Sequence, residues 1–304
     1  MFRLIKTNFI RYFRSPFLIF AFSCSLILGI IHGVIERKNI NIDFDYFFNK
    51  SVWLFSPMSD IWYICNTWVV IVFISLEIGR EFSEGTIRNK LYIGHTRIAI
   101  FLSEIISGCV MTFFSFLLFM IPTVIGGKYF FLTLSPTAFF ALLGELLLFF
   151  LVWGIFSAVL TMLIANRSFG VVAVFSVMLF LAIINVNLRG YYYNTDPPEI
   201  TRKVICFSED GNPYAVEQTT KNEWYIDGLP KVLVNVEHEA NPFSRSYNVC
   251  NYEYIHYPEK ARSEDFELQA QMDWQVKYDS FVLILTGAIL IVGGSVLFLK
   301  KDLK

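Results

Sequence analysis

The chain is short of charge. Asp, Glu, Lys and Arg make up 17% of its 304 residues, against roughly 25% in a soluble domain. The 25 basic and 26 acidic residues nearly cancel, leaving a formal net charge of −1. That balance removes any bulk electrostatic case for nucleic-acid binding. Only four His are present, and Glu237-His238-Glu239 is not the H-E-x-x-H arrangement that sets two imidazoles on one helical face. A G-x-S-x-G nucleophile elbow is missing, as is the phosphate-cradling G-x-x-x-x-G-K-[ST] loop. Gly126-Gly127-Lys128 hints at the latter but continues into Tyr129. No nucleophile–base pair, metal set or nucleotide cradle points to an enzyme.

What the chain has instead is apolar bulk. Hydrophobic residues reach 55%, with 32 Phe, and mean hydropathy is +0.52. A disordered chain and an ordinary soluble enzyme are both excluded by this excess. Stretches free of charged residues and His run over 15–31, 61–76, 105–127, 129–144, 146–166, 168–188 and 280–299. A membrane span needs about 20 mostly apolar residues. Glu145 alone separates the fourth and fifth stretches, so they count as one helix, opened by Ser135 as N-cap and Pro136 in the first turn. Six spans result, near 16–34, 60–78, 97–122, 136–164, 168–188 and 280–299. The expected fold class is an all-α polytopic membrane protein.

Basic residues in short flanking segments set the expected orientation. Arg3, Lys6, Arg11 and Arg14 precede span one; Arg80, Arg88, Lys90 and Arg97 lie between spans two and three. Arg167 links spans four and five, and Lys300, Lys301 and Lys304 close the chain. With six spans these share one face, so both termini are expected in the cytoplasm of a multi-pass cell-membrane protein. Segments 35–59, 123–135 and 189–279 then lie outside. A basic leader before an apolar stretch also fits a signal peptide, and Ala21-Phe22-Ser23-Cys24 has a faint lipoprotein look; the leader is expected to be retained.

Residues 1–15 read as an amphipathic interface helix. Phe2, Ile5, Phe9, Tyr12 and Phe13 fall on one side, and Arg3, Lys6, Thr7, Arg11 and Arg14 on the other. Ser15-Pro16 then turns the chain into the bilayer. The segment 79–97 is the most informative. Ser83 is expected to cap a short helix over 84–92, within a cytoplasmic element near 83–93, and Gly94 to end it. Ile87 and Leu91, spaced i, i+4, give it one apolar edge. Nine residues do not hold a helix in water, so the element needs something to dock on.

This segment resembles the coupling helix of ABC-2 type transporter permeases, the membrane subunits of ABC exporters. The resemblance is carried by Glu81, Gly85-Thr86, Ile87 to Leu91, Gly94 and Thr96-Arg97. The amphipathic leader, the six spans and the ending Gly293-Gly294 through Lys304 are similar to the family as well. The likeness is weak over 189–279. It implies a permease that pairs with a second copy or a related permease and lines a translocation path. It implies also that a separate cytoplasmic ATPase subunit, with its ATP and magnesium, contacts Glu81, Glu84, Gly85, Thr86, Ile87, Arg88, Lys90, Leu91 and Arg97. No cofactor is expected in this chain itself. A peptide or amphipathic substrate is expected by analogy alone. The alternative is a membrane receptor or immunity protein that binds a ligand through its outer domain without transport. Such a protein has no reason to present a coupling segment.

Glu145, an ionisable group about 13 Å into span four, is the candidate for the translocation path. Glu104 is expected to pair with a basic residue near the inner interface, Asp60 and His32 to be solvated at outer span ends, and Asn66 to bond between helices. Pro122 is expected to kink or stop span three, and Gly287, Gly293 and Gly294 to allow close packing in span six.

The 189–279 segment has 9 basic and 16 acidic residues and 10 of the 15 Tyr. Clusters such as Tyr191-Tyr192-Tyr193 suit a membrane interface. Strands are expected at 203–207, 223–226, 231–236 and 247–257, and a helix over 263–277 running into span six. A small extracellular α+β domain follows from this, with spans 16–188 before it and 280–304 after. Cys24, Cys65 and Cys109 read as packing residues in spans. Cys206 and Cys250 are the disulfide candidate, open until their proximity is known.

Overall fold

The computed structural model describes residues 2–38, 61–126, 136–194, 198–207, 213–223, 225–242 and 266–301. The chain is mostly helical. In order come α1 (Phe2–Phe13), α2 (Pro16–Lys38), α3 (Ile61–Ser83), α4 (Thr86–Tyr92), α5 (Arg97–Gly126), α6 (Pro136–Ile164) and α7 (Arg167–Asn194). Then follow β1 (Glu199–Phe207), β2 (Pro213–Lys221), α8 (Leu229–Ala240) and α9 (Phe266–Lys300). Six of these, α2, α3, α5, α6, α7 and α9, are long and apolar enough to cross a membrane, as a multi-pass membrane protein requires. Two compact units are present, Met1–Phe180 with Arg245–Lys304, and Leu181–Ser244.

In the first unit α2 packs most extensively on α5, and α6 packs on α3, α5 and α9. The α2–α5 pair is a backbone-to-backbone contact. A Cβ on Gly29 would stand 2.3 Å from the Phe119 carbonyl oxygen, one on Gly33 2.5 Å from that of Pro122, and one on Gly126 2.3 Å from that of Gly33. Gly29-Ile30-Ile31-His32-Gly33 is thus a small-xxx-small seam, and its G-x-x-x-G spacing was the sequence signal for it. Of the glycines expected to pack closely in the last span, Gly294 does so, its Cβ position lying 2.6 Å from Val159, while Gly293 has open space. Pro122 does not stop its helix, which runs one more turn to Gly126.

Mid-span polar groups are mostly hydroxyls. Ser25 and Ser115 meet at 2.5 Å, Ser75 and Ser157 at 2.9 Å, and Thr161 donates to Ser75 at 3.0 Å. Such bonds between neutral groups hold helices together without a desolvated charge. His32 corrects an expectation. It is fully buried, not solvated, stacked on Phe119 and edge-on to Tyr63, with Nδ1 3.4 Å from Thr123 Oγ1. Asn66 is buried but makes no hydrogen bond to the described residues. Asp60 lies outside the described residues.

The second unit holds an antiparallel hairpin, registered from Glu199↔Lys221 to Phe207↔Pro213, and α8. Here two expectations fail. Residues 231–236 are helical, and Glu223, Tyr225 and Ile226 are not in a strand. Lys231-Val232-Leu233-Val234-Asn235-Val236 is rich in β-branched residues, but Gly228 at positive φ and Pro in the first turn start a helix here. The expected strand at 247–257 lies outside the described residues. Of the helix expected over 263–277, the part from Phe266 on is the first stretch of the unbroken α9, and 263–265 lie outside the described residues.

Candidate functional site

The densest chemistry sits where α1, α3, α4 and α5 converge. Helix α1 has three faces. Leu4, Asn8 and Tyr12 are buried, Phe2 and Phe13 are exposed apolar residues, and Arg3, Lys6 and Arg14 are exposed cations. Asn8, a polar residue in the centre of the buried face, is explained by what it meets. Its Nδ2 donates to Glu104 Oε1 at 2.7 Å and to Ser103 Oγ at 3.3 Å, and its Oδ1 accepts from Lys90 Nζ at 2.9 Å. Tyr12 donates its hydroxyl to Glu104 Oε2 at 2.7 Å.

Lys90 is the hub. Its ammonium bonds both oxygens of Glu81 at 2.9 and 2.8 Å, and Glu104 Oε1 at 2.8 Å. Arg11 pairs with Glu81, and its Nη2 lies 3.6 Å from Glu104 Oε2. Two cations therefore face two carboxylates. Glu81, Glu104 and Lys90 are buried, and Arg11 is largely covered. Burial lowers the Lys90 pKa, opposed by Glu104. Burial, reinforced by Glu104, raises that of Tyr12 well above its ordinary value. Desolvating ions costs several kcal/mol each, at order of magnitude. The arrangement therefore contributes a fixed geometry more than net stability, and removing one partner is what costs.

The ends of neighbouring elements are fastened beside this cluster. Ser15 bonds Glu77 through its hydroxyl and accepts the Phe17 N–H at 3.3 Å, capping α2. Arg80 pairs with Glu77 at 2.9 Å. Arg97 donates to the Leu299 and Lys301 carbonyls at 3.0 and 2.5 Å, capping α9. Lys301 donates to the Leu163 carbonyl at the end of α6. The C-terminal part of α1, the starts of α2 and α5 and the ends of α3, α6 and α9 are thus gathered at one end of the bundle.

Helix α4 hangs on this framework. It spans seven residues, not nine. Its N-cap is Gly85 at φ 70°, with no side-chain cap, and Ser83 instead donates back to the Gly79 carbonyl at 3.1 Å. That corrects the expected Ser83 cap. Its other end is as expected: Gly94, at φ 95°, donates to Leu91 O at 2.9 Å, and His95 donates to Lys90 O at 3.2 Å. These two bonds make a Schellman motif.

The residues singled out in this segment separate into two groups. Glu81, Ile87 and Lys90 are buried against the chain's own core, and Arg97 is engaged in capping α9. The polar groups of Glu81, Lys90 and Arg97 are thus bonded within the chain itself. Glu84 and Arg88 are exposed, and Gly85, Thr86 and Leu91 are partly covered. Two residues not foreseen dominate the outer tip: Tyr92, 86% exposed, and Ile93, 78% exposed. Their signal was present in the sequence, since both continue past the inward positions Ile87 and Lys90 on the remaining arc of a 3.6-residue helix.

Glu145 is buried within the bundle on α6. Cys206 lies on β1 opposite Tyr214, whereas Cys250 is outside the described residues, as is any pairing between them. Cys24 and Cys109 are free thiols. Among the described residues no group of three or more His, Cys, Asp and Glu is placed to hold a metal ion. The chain matches no protein-family model and no curated protein sequence.

Proposed function

We propose that this chain is the permease subunit of an ATP-driven ABC exporter, working as a pair and driven by a separate ATPase subunit that docks on α4. One observation carries the reading. A seven-residue helix, too short to persist alone, is anchored inward by Ile87 and Lys90 while Tyr92 and Ile93 stand almost fully exposed at its tip. Exposed Tyr beside an aliphatic residue is the kind of anchor that protein interfaces concentrate. Glu84 and Arg88 supply a charged rim.

Lys90 ties α4 to α1 through Asn8, to α3 through Glu81 and to α5 through Glu104. A displacement imposed on α4 is therefore shared with the ends of two spans and the interface helix. That is how a push from outside would bias a two-state equilibrium in the membrane part. Basic residues Arg3, Lys6, Arg14, Arg80, Arg88, Arg167 and Lys300 cluster at this end, which supports a cytoplasmic location for it and for both termini. The 189–279 segment is then extracellular. Glu145 stays the translocation-path candidate because it is an ionisable residue buried in a span. The substrate proposed is a peptide or amphipathic compound.

The test is co-purification of a nucleotide-binding subunit with the full chain from native membranes. Tyr92→Glu together with Ile93→Glu is expected to weaken that association at least tenfold while the protein stays monodisperse. Undiminished association, or no nucleotide-binding partner at all, would overturn the reading.

A further inference from the structure

We propose that a basic pocket beside α1 and an apolar groove between α2 and α3 form one binding site for an anionic phospholipid. This goes beyond the exporter reading and does not depend on it. The groove encloses about 650 Å³ and is lined by Phe17 and Phe20 from α2 and by Trp68, Val72 and Leu76 from α3, among other apolar residues. The pocket encloses about 400 Å³ and is lined by Thr7, Ile10, Arg11, Arg14 and Arg80.

The helical register joins the two. Trp68, Val72, Leu76 and Arg80 recur every four residues, so one stripe of α3 runs from the groove into the pocket. On the other wall Arg14 in the pocket lies two residues before Pro16, the first residue of the groove. From Trp68 to Leu76 the stripe is about 12 Å long, and one more turn of about 6 Å reaches Arg80. A single leaflet of hydrocarbon is about 15 Å deep. The dimensions suit an acyl chain along the groove with its headgroup at the arginines.

The charges select the headgroup. Arg11 is engaged by Glu81 and Glu104, and Arg80 by Glu77 at 2.9 Å and Glu84 at 3.7 Å. Arg14 is exposed and has no ion-pair partner among the described residues. An uncompensated guanidinium at a membrane interface, with two more beside it, binds a phosphate diester bidentately. A choline headgroup would bring its own cation into the same pocket and be disfavoured. The twelve-residue spacing from Trp68 to Arg80 along one face gives the site a direction: tail at Trp68, phosphate at Arg14.

The experiment uses the full chain in a neutral detergent. Native mass spectrometry counts retained dioleoyl-phosphatidylglycerol or dioleoyl-phosphatidylcholine, two lipids with identical tails. Phosphatidylglycerol is expected to be retained at least fivefold more. Arg14→Gln, at an exposed site where folding is not at stake, is expected to bring the ratio close to one, while Arg88→Gln, an exposed arginine outside the pocket, keeps it. Val72→Trp, which fills the groove, is expected to lower retention of both lipids. Equal retention of the two lipids overturns the proposal, as does an unchanged ratio in Arg14→Gln or an equal loss in Arg88→Gln. Free sn-glycerol 3-phosphate that displaces the lipid at equal concentration would show a soluble phosphate site instead. A lipid-free dimer would show that a second copy fills the groove. Both results also overturn it.

Discussion

Helices α4 and α8 begin alike and are used differently. Each follows a glycine at positive φ, Gly85 at 70° and Gly228 at 65°, and neither has a side-chain N-cap. Helix α4 turns its apolar edge inward through Ile87 and sends Lys90 into a buried ion cluster. Helix α8 buries Val234 and leaves Leu229, Val232, Leu233 and Val236 exposed at i, i+3, i+4 and i+7 spacing. It is held at its end instead, where Asn241 donates to the Leu181 carbonyl at 2.9 Å and to Glu237 Oε1 at 2.5 Å. Local chain signals start a short helix equally well in both places. Partners distant in sequence decide which face is consumed.

The largest way to break this contrast is at Lys90. Lys90→Ala leaves Glu81 and Glu104 short of a buried counter-charge and should cost about 3–5 kcal/mol, read as a drop in melting temperature in detergent. An unchanged melting temperature would mean that the cluster does not hold α4. Ile87→Ala should cost about 2–4 kcal/mol, and Val234→Ala on α8 clearly less, because fewer methyl groups leave a smaller core. Equal losses would erase the distinction between the helices.

Gly94→Ala should cost about 1 kcal/mol, and Gly228→Ala more, because its φ 65°, ψ −139° lies in a region that essentially only glycine adopts. Neither site has an atom within 4 Å of a new Cβ, so backbone strain is the whole effect at both. A smaller effect is expected at alkaline pH. The raised Tyr12 pKa means that above about pH 10 the unfolded chain releases a proton the folded chain keeps, so stability falls as pH rises. The lowered Lys90 pKa acts oppositely, since below about pH 10.4 the unfolded chain keeps a proton the folded chain loses. Tyr12→Phe removes the tyrosine contribution alone. The stability difference between wild type and Tyr12→Phe should therefore shrink above pH 10, and a flat difference would contradict it. Smallest of all, Val232→Ser or Leu233→Ser should change the stability of the detergent-solubilised protein by about 0.5 kcal/mol or less. A larger loss would reveal that the α8 stripe is covered after all.

The sequence made the spans legible because a membrane span is a matter of length and apolarity, and both are read directly. The starts near Pro16, Arg97 and Pro136 agree with the helices found. The Gly94 terminus was legible because a Schellman motif needs its glycine. The pairing expected for Glu104 is present, but its depth was not foreseen, because Asn8, Lys90 and Glu104 are far apart in the chain and meet only after α1 folds back. The same reason hides the inward turn of Glu81 and Lys90, which the resemblance assigns to a partner contact. His32 looked like a span-end residue, and only the close approach of α2 to α5 encloses it. At 231–236, β-branched content outweighed the helical spacing of Leu229, Val232, Leu233 and Val236, although Pro230 in the first turn was the available warning.

The glycine seam between the first and third spans has a mechanical consequence. Where Gly29, Gly33 and Gly126 bring two backbones into contact, no rotamer stands between them to absorb sliding. A shift of even one ångström would drive carbonyl oxygens into α-carbons. These two rods behave as a single welded beam, and any change of shape in this protein has to hinge around it.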